Sequence, residues 1–169
     1  MQINALPVYD RSDNPTHCCP RFNPHGWDEQ ELHFDDKLFV KAKTRSIFHI
    51  PINMGSVFPK ILGAIEEAQA GAKDEFIVLS CDPSAWTGEH YFSVSKEVPG
   101  QQMVRLSGNY LTRVFEGPYK NVPLWEKEMK AFVKNKGKQV KKTCFFYTTC
   151  PRCAKYYGKN FVVAVVEIK

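Results

Sequence analysis

The run Trp86-Thr87-Gly88-Glu89-His90-Tyr91 sets one carboxylate between two aromatic residues, beside a glycine that can turn the chain back on itself. A carboxyl pressed against aromatic surface loses hydration, which raises its affinity for a proton and suits it to proton transfer near neutral pH. Glu89 is therefore the first candidate for acid–base chemistry, with Trp86 and Tyr91 as walls for an organic ligand. The plain alternative is an exposed turn glutamate beside a core tryptophan. His49 and Glu116 end two strand-like runs, Ile47-Phe48-His49 and Val114-Phe115-Glu116, and each could polarise a substrate or a water. A single histidine in an apolar run is more often a hydrogen-bonded structural residue. Tyr119 and Tyr147 add a phenol donor or a stacking wall.

Cys150-Pro151-Arg152-Cys153 forms a second constellation, whose two-residue gap lets both sulfurs address one metal ion or each other. Such a pair is half of a zinc site. Cys18, Cys19 or His17 could supply the other half, which would explain why that region is ordered without a core of its own. Neighbouring residues project in different directions, so Cys18 and Cys19 on one ion implies strain. A structural zinc on Cys18, Cys19, Cys150 and Cys153 and a set of reduced thiols stand level, and a disulfide ranks last. A redox Cys-x-x-Cys normally opens a helix after a strand in a thioredoxin-like unit, a pattern not read here. Cys81 and Cys144 read as buried strand residues.

The elements that must position these groups come in two similar sets. Phe76-Ile77-Val78-Leu79-Ser80-Cys81 is matched by Phe145-Phe146-Tyr147-Thr148-Thr149-Cys150, and each is followed by an aromatic-x-Gly-x-x-aromatic run. In the first set, Leu38 to Ile50 reads as a strand bent near Lys43. Ser56 offers an N-cap, Pro59 fits the first helical turn, and Phe58, Ile61, Leu62 and Ile65 recur at helical spacing until Gly71. Phe76 to Cys81 and Tyr91 to Val98 then make a hairpin with a long tip. The second set runs from a strand near Met103 through Phe115 to the Gly117-Pro118 turn. Asn121 caps a helix with the stripe Trp125, Met129, Phe132 and Val133, and strands Thr143 to Thr148 and Phe161 to Ile168 follow.

The expected fold is α+β: duplicated strand-helix-strand-strand units, an antiparallel sheet with helices on one face, and a central cleft on the pseudo-twofold axis. Residues 1–34 form an irregular N-terminal arm, pinned to the body by Trp27 and its thiols, and residues 35–169 a single domain with repeats at about 37–98 and 101–168. The formal charge of +5 comes from 23 basic and 18 acidic residues, much of the excess lying between Lys134 and Lys142. That run reads as a solvated loop, without the interleaved aromatics of a nucleic-acid surface. No apolar stretch suits a membrane span or a signal peptide, so neither a membrane nor a nucleic-acid partner is expected, and the expected location is cytoplasmic. Phosphate loops, nucleophile elbows and zinc-protease helices are absent from the sequence.

With the doubled unit and Val114-Phe115-Glu116-Gly117-Pro118-Tyr119 in hand, the body from about Leu38 to Ile168 resembles the GyrI-like small-molecule-binding superfamily. That resemblance implies a central aromatic cleft with a buried carboxylate, mapped onto Glu89 with Trp86. The Cys18-Cys19 arm and the Cys150-x-x-Cys153 tip look more like the stand-alone, hydrolase-like branch, which acts on cyclopropanoid DNA-alkylating toxins, than like regulator domains. The function so implied is hydrolysis of hydrophobic, strained or electrophilic compounds, the partner being a hydrophobic or aromatic small molecule. No cofactor is required for that chemistry, and zinc would be structural. Two other readings remain: a non-catalytic module that binds or sequesters drugs, and an inhibitory interaction protein docking through Lys134 to Lys142. Oligomeric state is left open by the sequence.

Overall fold

The computed structural model describes residues 2–169. Its first unit comprises β1 (Glu31–Ile47), α1 (Met54–Glu67), β3 (Val78–Ser84) and β4 (Thr87–Ser93), with a short β2 (Ile50–Pro51) paired to the end of β1. The second comprises β5 (Gln102–Glu116), α2 (Val122–Asn135), β6 (Val140–Tyr147) and β7 (Phe161–Ile168), with α3 (Pro151–Tyr157) inserted before β7. The strand-helix-strand-strand order therefore occurs twice, in an α+β fold.

All the sheet pairings are antiparallel. β4 lies between β1 and β3, β7 lies between β5 and β6, and the units join where Ser80 of β3 faces Phe145 of β6. A second seam pairs β1 with β5 and closes the six long strands into a barrel. Each unit's pairing repeats in the other: Ser80 pairs with His90, which pairs with Ala42, as Phe145 pairs with Ala164, which pairs with Arg113. The residue-level equivalence thus differs from the one the sequence suggests, since Phe145 answers to Ser80 rather than to Phe76, and Glu116 answers to Arg45 rather than to His49.

Both long helices cover the outside of the barrel. Phe58, Ile61 and Ile65 of α1 pack on Val40, Phe92 and Val78, with the Phe58 ring centred 5.0 Å from that of Phe92. Trp125 of α2 stacks on Phe115 at 5.5 Å, and Met129 and Val133 complete a cluster with Phe145 and Ala164. Side-chain alternation sends the intervening residues inward. The arm supplies Tyr9, Phe22 and Trp27 to pack against the inward Phe146, with centroids 5.5–6.1 Å apart. Trp27 is fully buried, its Nε1 donating to Val8 O and its carbonyl accepting from Thr112 Oγ1. Burial of such large rings is worth about 2–3 kcal/mol each, enough to hold a segment with almost no regular structure.

Several local expectations change. β1 begins at Glu31, earlier than the predicted strand, because a bulge between Phe34 and Lys37 absorbs the Asp35-Asp36 pair that reads as loop, with Asp36 at φ 56°. α1 starts at Met54 rather than at Ser56, and the Asn53 side chain accepts from Arg45 N instead of capping it. The β3–β4 tip is tight, not long, so Glu89 lies inside β4. Lys141 and Lys142 belong to β6 rather than to a solvated loop. Cys81 and Cys144 are buried strand residues, as the sequence suggests, and they are bonded to each other as a disulfide across the β3–β6 seam. Facing residues beside a two-strand seam bring two Cβ atoms close enough for this bond, which spacing along the chain does not reveal. No helix among the described residues is long and apolar enough to cross a membrane.

Candidate functional site

Glu89 and Tyr91 alternate with His90 along β4, so the carboxylate and the phenol face inward while the imidazole faces α1. The Tyr91 hydroxyl donates to Glu89 Oε2 at 2.8 Å. Lys41 of β1 places Nζ 3.5 Å from Glu89 Oε1, and Lys142 of β6 places Nζ 3.8 Å from Oε2 and 3.4 Å from the Tyr91 oxygen. The Glu89 side chain is 18% exposed, so water reaches it. Along β6 the inner face passes from Phe146, against the arm, through the disulfide at Cys144, to Lys142 at this cluster.

The electrostatics reverse the expectation for this acid. Partial burial acts to raise its pKa, but the Tyr91 hydroxyl and the ammonium groups of Lys41 and Lys142 together outweigh that, leaving it below the ordinary carboxylate value. Glu89 is thus ionised at neutral pH and suited to accept a proton or orient water, not to donate. Burial and the bond to Glu89 push the Tyr91 phenol up, which keeps it protonated as a donor. Sequence reasoning missed both lysines. Lys41 was legible only through strand pairing, and Lys142 was hidden in a charge run.

The other predicted residues lie elsewhere. Trp86 is exposed at the β3–β4 turn and packs on Phe48, 5.2 Å between centroids, rather than on Glu89. His49 sits in the turn after β1 at φ 66°, exposed, with Nδ1 4.0 Å from Asp82 Oδ2. Glu116 ends β5 exposed, in register with Phe161. Neither is hydrogen-bonded or ion-paired to Glu89 among the described residues. Tyr119 donates to Thr149 O, and its ring lies 5.9 Å from that of Tyr147, whose phenol burial pushes up.

Two unpredicted features carry reactive groups. Outside the barrel, His90 is held by Ser80 Oγ on Nδ1 and Thr44 Oγ1 on Nε2, both at 2.8 Å. A serine beside a histidine is nucleophile–base geometry, but all three residues are buried beneath α1, with His90 2% exposed. Burial lowers His90 to about 4, Glu89 offsetting part of this, so the imidazole is neutral and its hydrogen bonds are satisfied. The arrangement is a sealed structural network. At the arm, a cavity of about 610 Å³ is lined by Asp13, Arg21, Phe22, Thr149, Tyr157 and Phe161 among others, and Glu89 is not among its walls.

Next to that cavity the four thiols of Cys18, Cys19, Cys150 and Cys153 converge, every pair of sulfurs within 4.8 Å; His17 is not among them. Cys150 and Cys153 do open a short helix after a strand, contrary to the sequence reading, since Pro151 begins α3 and Gly158 ends it at φ 69°. Burial pushes the Cys18 and Cys19 thiols up. The set of soft donors could hold a metal ion.

The bacterial hydrolase family matches the chain over residues 9–168. No curated protein matches it. Three solved structures from Listeria innocua are similar in fold. An uncharacterized conserved protein is 12% identical with a TM-score of 0.61, over 84% of this chain and 92% of its own. A hydrolase is 12% identical at 0.57, over the same shares of the two chains. A second hydrolase structure is 11% identical at 0.57, over 86% and 94%.

Proposed function

The chain belongs to the bacterial hydrolase family, and from that premise we propose that it hydrolyses hydrophobic, strained or electrophilic small molecules of the cyclopropanoid type, with Glu89 as its base. One observation carries the reading: a carboxylate kept ionised by a phenol and two ammonium groups on the inner face of the barrel. The duplicated architecture supports the GyrI-like resemblance, and the small-molecule ligand is carried over from that resemblance.

In this reaction Glu89 orients a water and takes its proton as the oxygen bonds to the strained ring carbon. The ring carbon–carbon bond breaks, and its electron pair passes into the conjugated carbonyl, which becomes a hydroxyl on taking a proton from solvent. Lys142, beside both Glu89 and Tyr91, offsets the negative charge that develops on that oxygen. Strain in the substrate supplies much of the driving force, so a weak base suffices.

Glu89→Gln keeps the side-chain shape and removes the charge. With a spirocyclopropyl dienone as probe, turnover should fall by about 10²- to 10⁴-fold while binding, read by isothermal titration calorimetry, changes little. Turnover at the wild-type rate would remove Glu89 from the mechanism. Protection of the probe with at most one product molecule per wild-type chain would identify a sequestering protein instead.

A further inference from the structure

The arm has almost no regular structure of its own, yet its turn at residues 15–19 is fastened to α3 by a dense set of contacts centred on sulfur. Cys18 Sγ lies 3.8 Å from Cys19 Sγ and 4.0 Å from Cys150 Sγ. Four thiolates around a single ion at about 2.3 Å form a tetrahedron with edges of about 3.8 Å. These two spacings sit at and just above that value, and every other pair of sulfurs lies within 4.8 Å. They are also far from bonding distance, in a chain where Cys81 and Cys144 are bonded. A polynuclear iron–sulfur cluster spreads its thiolates around several metal atoms and needs a wider cage.

The objection that adjacent cysteines diverge is answered by the backbone. His17 takes φ 54°, and this left-handed residue turns the chain so that both following sulfurs reach one centre. Groups around the sulfurs fix their orientation, as they do in built metal sites. Cys150 N donates to Cys19 Sγ at 3.3 Å, Cys153 Sγ lies 3.3 Å from Thr16 Oγ1, and Tyr157 Oη donates to Cys19 O at 2.6 Å. The Arg21 guanidinium lies over the Tyr157 ring at 4.7 Å, bringing positive charge to a site that four thiolates would make anionic.

We propose that Cys18, Cys19, Cys150 and Cys153 bind one zinc ion, which staples the N-terminal arm to the end of the barrel. The ion has no part in the hydrolysis. Its role is to hold the turn that follows Tyr9 and precedes Phe22 and Trp27, the rings that fill this end of the core.

The test uses the intact protein purified from zinc-supplemented cells. Elemental analysis should find one zinc per chain. Exchange with cobalt(II) should give the intense visible bands and thiolate charge transfer of a tetrahedral sulfur site. Stripping the metal with a chelator should raise the rate of tryptic cleavage after Arg11 and Arg21 about tenfold or more, because proteolysis follows the open population of the arm. Cys150→Ser should lose the zinc and the cobalt bands; should that variant fail to fold, the wild-type measurements remain decisive. A metal-free protein whose four thiols alkylate in the native state as free thiols do, or a disulfide among them in the mass spectrum, would overturn the proposal. Loss of zinc with hydrolysis unchanged leaves this proposal and the one for Glu89 independently judged.

Discussion

Replacing His90 by Gln should flatten the acid side of the protein's stability curve. In the native state burial lowers this imidazole from 6.5 to about 4, even with the charge of Glu89 next to it acting the other way. Ser80, Thr44 and Phe58 enclose it, and Asp82, partnered by His49, is the other titrating group near it. The unfolded chain takes up the proton near 6.5 and the native chain does not. The contribution is therefore fully present above about pH 6.5 and is lost as pH falls toward about 4, at about 1.4 kcal/mol per pH unit and about 3 kcal/mol in all. Glutamine can keep a donor and an acceptor for the two hydroxyls and cannot titrate. Urea midpoints and slopes measured for both proteins at several pH values between about 4 and 7 give the comparison, and carboxylates such as Asp82 and Glu89 largely cancel in the difference. Wild type should lose about 3 kcal/mol more than the variant over that range. Parallel curves would show that the native fold accepts a charged His90 and that the network is not sealed.

The Cys81–Cys144 bond spans 63 residues of sequence, and chain entropy gives it about 4 kcal/mol; Cys81→Ala with Cys144→Ala should lower the melting temperature by about 10 °C, and an unchanged melt would show the bond to be idle. Lys142→Met removes one of the charges that hold Glu89 ionised. Activity that depends on the carboxylate is lost as pH falls through its pKa, so the acid limb of the rate profile should move to higher pH in this variant. An unmoved limb would mean that another group controls it.

Much of the topology was legible because hydrophobic periodicity, the start of α2 just after Asn121, and the Gly117-Pro118 turn all act locally, although the Asn121 side chain makes no capping hydrogen bond. What was lost depends on register. The similarity of Phe76 to Phe145 is one of composition, whereas equivalence in the barrel is set by hydrogen-bonded pairing, which answers Phe145 with Ser80. The same gap misjudged Glu89. Its aromatic neighbours in sequence predicted a raised pKa, but the cross-strand Lys41 and Lys142, far off in sequence, decide the direction. The four thiols were named from spacing alone. Their convergence required His17 at positive φ, for which the sequence offers no cue.

Closing the strands into a ring has a consequence for how copies of this chain meet. An open sheet ends in a row of unpaired amide and carbonyl groups that can recruit a foreign strand or seed fibrils. Here each of the six long strands has a neighbour on both sides, and the pendant β2 is two residues long and contains Pro51, which lacks the amide proton needed to extend a ladder. Ring closure thus leaves little open sheet edge for edge-to-edge self-association, the sparsest pairing being at the β3–β6 seam, where Ser80 faces Phe145.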